Sequence, residues 1–150
     1  MYKRQEVNHE VFQFAKSNSI TTIFNPAPAR SLEREFLEHI SWLIPNENEF
    51  ELISGMQPNE ENFLNFNKEI PCNLIVTLGE KGAVFVEENE TLYFDAPTVD
   101  AIDTTGAGDS FIGTFAYELS ESNSPEVCIK KAVDRASQSV TKKGTQSSYS

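Results

Sequence analysis

Asp103-Thr104-Thr105-Gly106-Ala107-Gly108-Asp109-Ser110-Phe111 is the stretch on which the reading of the chain turns. Gly106 and Gly108 bracket Ala107, so backbone can approach a ligand with no Cβ in the way. Helical periodicity follows at once: Ala107, Phe111, Ile112, Phe115, Ala116 and Leu119 fall at i, i+4, i+5, i+8, i+9 and i+12. A glycine turn therefore opens a helix whose first N–H groups have no partner inside it. With the positive end of the helix dipole, they form a seat for a phosphate or a developing anion. Asp109 falls in that first turn. A carboxylate there can take a proton from an attacking hydroxyl while the amides hold the group under attack. No Gly-Lys-Ser/Thr follows, so this is not a Walker A loop. The plainer reading is an ordinary glycine turn with Asp109 as a helix-end charge.

The 150 residues suffice for one domain with a real core. Apolar residues make up 39% and include 11 Phe, which excludes a disordered chain, and no apolar run approaches a bilayer span. A formal net charge of −11 speaks against nucleic acid or an anionic membrane as partner, because both need a basic footprint. It does not forbid a nucleotide, whose phosphates are held locally by amides and a divalent cation. Cys72 and Cys128 make no Cys-x-x-Cys and read as two buried or semi-buried thiols in a reducing compartment, the cytoplasm by default.

Outward from the glycine motif, strands alternate with helices. Residues 6 to 18 carry Val7, Val11, Phe14 and Ala15 on one face and read as a helix. Residues 20 to 24 read as a short β-branched strand. The prolines of Asn25-Pro26-Ala27-Pro28-Ala29-Arg30 bar helix interior and central strand. The run is a fixed loop at a strand's C-terminal end, where open α/β sheets place ligands, or simply a rigid turn. Ser31 is placed to cap a helix with Glu33, Arg34 and Glu35 near its start.

Residues 40 to 44 read as a second strand. Pro45-Asn46-Glu47-Asn48-Glu49-Phe50 then opens a helix marked by Phe50, Leu52 and Ile53 and stopped by Gly55. Asn46 can hydrogen-bond a phosphate and Glu49 can hold a water on Mg²⁺; equally, they are an N-cap and its dipole partner. Residues 59 to 68 look like a polar surface helix. Residues 72 to 78 read as a buried strand, turned by Gly79-Glu80-Lys81-Gly82 into a hairpin partner at 83 to 86. Residues 87 to 90 form a solvated tip before a short strand at 91 to 94. Pro125 starts the last helix, with Ile129, Val133, Ala136 and Val140 on one face and Lys142 and Lys143 at its C-terminal end. Met1-Tyr2-Lys3-Arg4-Gln5 is what GTG-TAT-AAG-AGA-CAG, an adapter read-through, would encode with GTG used as the start codon. Residues 1 to 5 are therefore read as a non-native leader.

Asp103 to Asp109 resembles the second signature of the ribokinase-like (PfkB) carbohydrate kinase family, D-T-x-G-A-G-D. Asn46-x-x-Glu49 resembles its N-x-x-E motif, and Thr77-Leu78-Gly79-Glu80-Lys81-Gly82 its T-L-G-x-x-G. Asn25-Pro26-Ala27-Pro28-Ala29 and Gly144-Thr145-Gln146-Ser147-Ser148 resemble segments of the ribokinase branch. The resemblance implies an α/β chain, a ribokinase-like three-layer α/β/α sandwich with a mostly parallel sheet. That sandwich is incomplete here, residues 6 to 150 being the C-terminal part of the kinase domain.

The family pattern also implies roles. Asp109 is the catalytic base, and the amides of Gly106, Ala107 and Gly108 are the anion hole. Asn46, Thr77, Leu78, Gly79, Glu80, Lys81 and Gly82, with Gly108 and Asp109, hold ATP. Glu49 serves Mg²⁺. Asp103, Thr105, Ser139, Lys142, Gly144 and Ser148 cage K⁺, several through backbone carbonyls. The adenine-facing helix position falls on Val133, which offers no side-chain hydrogen bond. The implied reaction moves the γ-phosphoryl of ATP to D-ribose, giving D-ribose 5-phosphate, in a full-length cytoplasmic homodimer. Other readings are a non-catalytic nucleotide-binding fragment and a sibling kinase for another sugar or nucleoside. The kinase reading places Asp109 in a pocket shared with the loops that follow the strands.

Overall fold

The computed structural model describes residues 3–28 and 32–144. Ser31, Ala29-Arg30 of the proline loop, and Ser148 with the rest of 145–150 lie outside the described residues. The described residues form two compact units, those up to 76 with 85–92, and 77–84 with those from 93 onward. Five strands run in the order β1 (Ile23–Phe24), β2 (Trp42–Leu43), β3 (Asn73–Thr77), β4 (Ala83–Glu87) and β5 (Glu90–Phe94). β1 and β2 are parallel, with Ile23 opposite Trp42 and Phe24 opposite Leu43. β2 and β3 are parallel, with Trp42 opposite Asn73. The connections from β3 to β4 and from β4 to β5 are too short for a parallel crossover, so both are hairpins.

In the first unit, α1 (Lys3–Ser17) starts earlier than its periodicity suggested. Its inward face also differs. Ala15 is buried as the period predicts and the Val7 side chain lies outside the described residues, but Val11 and Phe14 are exposed, and His9 and Phe12 turn inward instead. The reason is aromatic. Phe12 meets Phe24 of β1 at 5.6 Å and Phe36 at 5.3 Å, and His9 meets the ring of His39 at 5.0 Å. Lys16 donates to the Glu38 carbonyl. α2 is a single turn, Arg34–Leu37, with extended Glu33 at its N-cap.

α3 (Glu47–Ser54) ends at Gly55, whose φ of 72° is the left-handed conformation that suits a helix stop. α4 (Glu60–Glu69) is not the polar surface helix its composition suggested. Phe63 and Phe66 are buried, both packed edge-on to the fully buried Phe50 of α3, at 4.8 and 5.5 Å. An Asn cap at Asn59 and two interior aromatics three residues apart are enough to fold and dock so polar a segment.

In the second unit, α5 (Ala107–Ser120) packs against α6 (Pro125–Ser139). Phe111 and Phe115 are buried as the periodicity predicts. So is Glu118, which accepts from Asn123 Nδ2 at 2.8 Å and from Lys131 Nζ at 2.7 Å. Two charge-assisted bonds satisfy a carboxylate that would otherwise be costly to bury. That hydrogen bond is also what raises the Lys131 pKa first of all, with burial opposing it.

Replacing Phe50 by Ala should cost about 3–5 kcal/mol, because a cavity opens where two other aromatics meet. Leu52→Ala, on the exposed side of the same helix, should stay within about 0.5 kcal/mol. Urea melts of both variants check this.

Candidate active site

β1 and β2 are parallel, so both end at one edge, and Asn25 and Pro45-Asn46 leave the sheet there. Asn46 is extended and caps α3: its Oδ1 accepts from Glu49 N at 2.9 Å, and Glu49 Oε2 accepts from Asn46 N at 2.9 Å. This is a complete capping box. Asn25 joins it, its Nδ2 donating to the Ile44 carbonyl at 2.9 Å and to Glu49 Oε2 at 3.3 Å. The structure thus brings Asn46 and Glu49 together, with a third side chain that the motif reading had quoted but given no role. An amide side chain directly after a strand end, fixed by the following proline, was the available signal. One carboxylate beside amide groups is too little for an all-protein metal cage. Among the described residues no cluster of three or more His, Cys, Asp or Glu could hold a metal. The donor set does fit Mg²⁺, which keeps several waters and takes few carboxylates.

The second unit holds the glycine motif. Gly106, with φ of 83°, is the N-cap of α5, and no side chain caps that helix end. Ser110 N donates to the Gly106 carbonyl at 2.9 Å, so the helix begins at once. Ala107 is half-buried, while Gly108 and Asp109 are exposed in the first turn. Of the two cavities described, one of about 430 Å³ lies around Ser41, Cys72 and Glu87. The other, about 410 Å³, lies around Tyr117, Lys131 and Arg135. Neither includes Asp109, for which the sequence reading expects a pocket.

Asp103 anchors the turn before the helix. Its Oδ1 accepts from Thr105 N at 3.0 Å and its Oδ2 from Gly144 N at 3.1 Å. Ile102 N and Asp103 N both donate to the Val140 carbonyl, at 2.8 and 3.1 Å. The Thr105 amide, then the Thr105 side chain and the Gly144 amide, hold the Asp103 carboxyl below its usual value of 3.8. Asp103, Thr105 and Gly144 are therefore brought together. Ser139 is buried and donates to the Ala136 carbonyl at 2.7 Å, Lys142 lies in the same post-α6 segment, and Ser148 is outside the described residues. Asp103, Thr105 and Ser139 carry oxygen-bearing side chains, the donor type that suits a hard monovalent cation. Val133 is buried in α6 beside Ala132.

Thr77 ends β3, and Leu78 N donates to the Gly82 carbonyl at 2.8 Å across a 3₁₀ turn of Gly79, Glu80 and Lys81. Gly82 has φ of 103°, and a Cβ there would fall on the Phe94 carbonyl; at Gly79 the same atom would meet nothing. Burial pushes the Cys72 thiol up to about 12, and burial chiefly raises Cys128 too, which suits inert thiols.

A family model described as pfkB family carbohydrate kinase matches residues 2–150. The chain belongs to the pfkB family of carbohydrate kinases. Among curated relatives of this pfkB-family chain, a deoxyribokinase of Salmonella typhi is 39% identical over 151 residues, covering 96% of this chain and 49% of the relative. A ribokinase of Staphylococcus aureus is 40% identical over 116 residues, 74% of this chain and 38% of the relative. A solved ribokinase from Thermotoga maritima matches with a TM-score of 0.82 at 38% identity, over 92% of this chain and 48% of that one. Arabidopsis thaliana ribokinase complexed with ribose and ATP matches with a TM-score of 0.86 at 28% identity, over 95% of this chain and 48% of that one. The fold is ribokinase-like α/β, and the chain spans about half the length of the curated relatives it matches. No helix among the described residues is long and apolar enough to cross a membrane.

Gly82→Ala should destabilise this kinase-family hairpin by several-fold more than Gly79→Ala, since only the first adds a backbone clash to left-handed strain of about 1–2 kcal/mol; comparative thermal melts decide it. The sign for Asp103 is equally definite. Its folded pKa lies below 3.8, so its stabilising contribution is full above that value and is lost as pH falls through the lowered one. The Thr105 and Gly144 amide resonances should titrate together below pH 3.8; a midpoint above it would contradict the two amide bonds.

Proposed function

We propose that the complete protein transfers the γ-phosphoryl group of ATP to the primary hydroxyl of a pentose, D-ribose giving D-ribose 5-phosphate, with this chain as its C-terminal, nucleotide-handling part. The observation that carries the reading is a left-handed glycine opening an uncapped helix, with a carboxylate in the first turn, in a member of a carbohydrate kinase family. Asp109 takes the proton of the sugar hydroxyl. The amides of Gly106, Ala107 and Gly108 hold the charge of the transferring group, because phosphoryl transfer is catalysed mainly by positioning and electrostatics. Asn46 and the Thr77–Gly82 turn hold the nucleotide.

Mg²⁺, when bound, neutralises charge on the phosphate oxygens, and Glu49 would hold it through water. A K⁺ among Asp103, Thr105, Ser139, Lys142, Gly144 and Ser148 would brace the loop that carries the anion-hole amides. The full-length protein works as a cytoplasmic homodimer in this proposal. The Salmonella relative is named a deoxyribokinase, which supports 2-deoxyribose as a second substrate reading.

The complete gene product, given ATP, Mg²⁺, K⁺ and either sugar, should form ADP. The ratio of kcat/KM for ribose over deoxyribose decides between the two sugars, and ADP formation with neither sinks the pentose reading. Asp109→Asn should lower kcat by roughly 10²–10⁴-fold, the usual worth of a general base, while nucleotide binding persists. Turnover within a few-fold of the parent would remove Asp109 from its role.

A further inference from the structure

We propose that Asn25 is a positioning residue for Glu49. Its side-chain amide ties the carboxylate to the end of β2, so that the Asn46–Glu49 pair presents one fixed arrangement to a divalent cation–nucleotide complex. This rests on the role proposed above for Glu49.

A helix cap does not need Asn25. A capping box is closed by two bonds between the N-cap and N3 residues, and both are present between Asn46 and Glu49. α4 gets by with less: Asn59 accepts from Asn62 N at 3.0 Å, and the Asn62 side chain turns away to the Gln57 carbonyl at 3.0 Å. At α3 a third donor arrives from another strand end, 24 residues away in sequence.

Asn25 is well built for that task. Its own backbone is confined because Pro26 follows it. Its Nδ2 is already fixed by the Ile44 carbonyl at 2.9 Å, so the second, longer bond to Glu49 Oε2 costs little further ordering. Glu49 Oε2 then carries two N–H donors, from Asn46 and Asn25. Rotation about the carboxylate is blocked, and Oε1 is the oxygen left to receive a cation-bound water. Asn25 touches neither cation nor substrate in this scheme; it acts through Glu49, as outer-shell partners of ligating carboxylates do.

The test is a double-mutant cycle on the complete gene product, with Mn²⁺ as the probe. Free Mn²⁺ is read by electron paramagnetic resonance while it is titrated into protein and ATP, and melting temperature is followed in parallel. Asn25→Ala should weaken Mn²⁺ binding about tenfold or more, the usual scale for outer-shell partners. Glu49→Gln should weaken it at least as much, and the double variant no further than Glu49→Gln alone. If Asn25→Ala unfolds the protein, Asn25→Ser, which keeps a small donor at the strand end, takes its place.

Unchanged Mn²⁺ affinity in the Asn25 variant, beside a loss in Glu49→Gln, would overturn the proposal and leave Asn25 as a strand staple. Losses that multiply in the double variant would overturn it as well. Unchanged affinity in Glu49→Gln would instead sink the role of Glu49 itself, and Asn25 with it.

Discussion

Every α-helix starts with N–H groups that no carbonyl inside it can accept from, and this chain disposes of them in different ways. α3 closes its start with Asn46 and Glu49, and α4 with Asn59. α6 opens on Pro125, which removes one donor. α5 starts from a left-handed glycine that has no side chain to offer. A glycine at the N-cap gives up only about a few tenths of a kcal/mol against Ser, Thr, Asp or Asn. α6 likewise has no side-chain cap bond at Ser124 and carries an acid, Glu126, in its first turn; what sets α5 apart is glycine on either side of Ala107. In the proposed function, an anion would supply there what a capping side chain supplies elsewhere.

The uncapped turn is held from behind. Asp103 spends both carboxylate oxygens on main-chain amides, one just ahead of the glycine turn and one beyond α6. The Val140 carbonyl takes two more amides from the same strand of loop. Behind these, the buried Glu118 links α5 to the start and middle of α6 through Asn123 and Lys131. A turn tied at both ends in this way is ordered without any contact from a ligand, and the proposed function would draw on that preorganisation.

Much of this was legible in the residues because it is local. The glycine turn, the α5 period, the Asn46–Glu49 cap, the Gly55 stop and the two hairpins each depend on neighbours a few positions away. The misreadings share another cause. The period of α1 points to a face of Val7, Val11, Phe14 and Ala15; Ala15 is buried, yet Phe12 goes inward in place of Val11 and Phe14 because Phe24 and Phe36 meet it, and no window along α1 contains either. α4 was read as polar because eight of its ten residues are not Phe, while two aromatics facing Phe50 decide its burial. Glu118 has no part in the α5 period, and its burial depends on Asn123 and Lys131 meeting its carboxylate. The bridge from Asn25 to Glu49 belongs with these, since it joins two strand ends that only parallel pairing makes neighbours.

The sugar is a different matter, and the relatives show why. A deoxyribokinase and a ribokinase are 39% and 40% identical to this chain over the portions they match. Their names differ by one hydroxyl on the sugar. A site that hydrogen-bonds a hydroxyl can reject the analogue lacking it by roughly 10⁴–10⁵-fold, so a few side chains around that carbon suffice to separate the two activities. The residues given roles in the proposed function would handle phosphate, cation and proton, and both reactions need those alike. Near-equal identity to both relatives is what shared phosphoryl-transfer machinery produces. Under the proposed function, the choice between ribose and deoxyribose would rest with side chains that reach the second carbon of the sugar, none of which is among the residues proposed for phosphate, cation and proton.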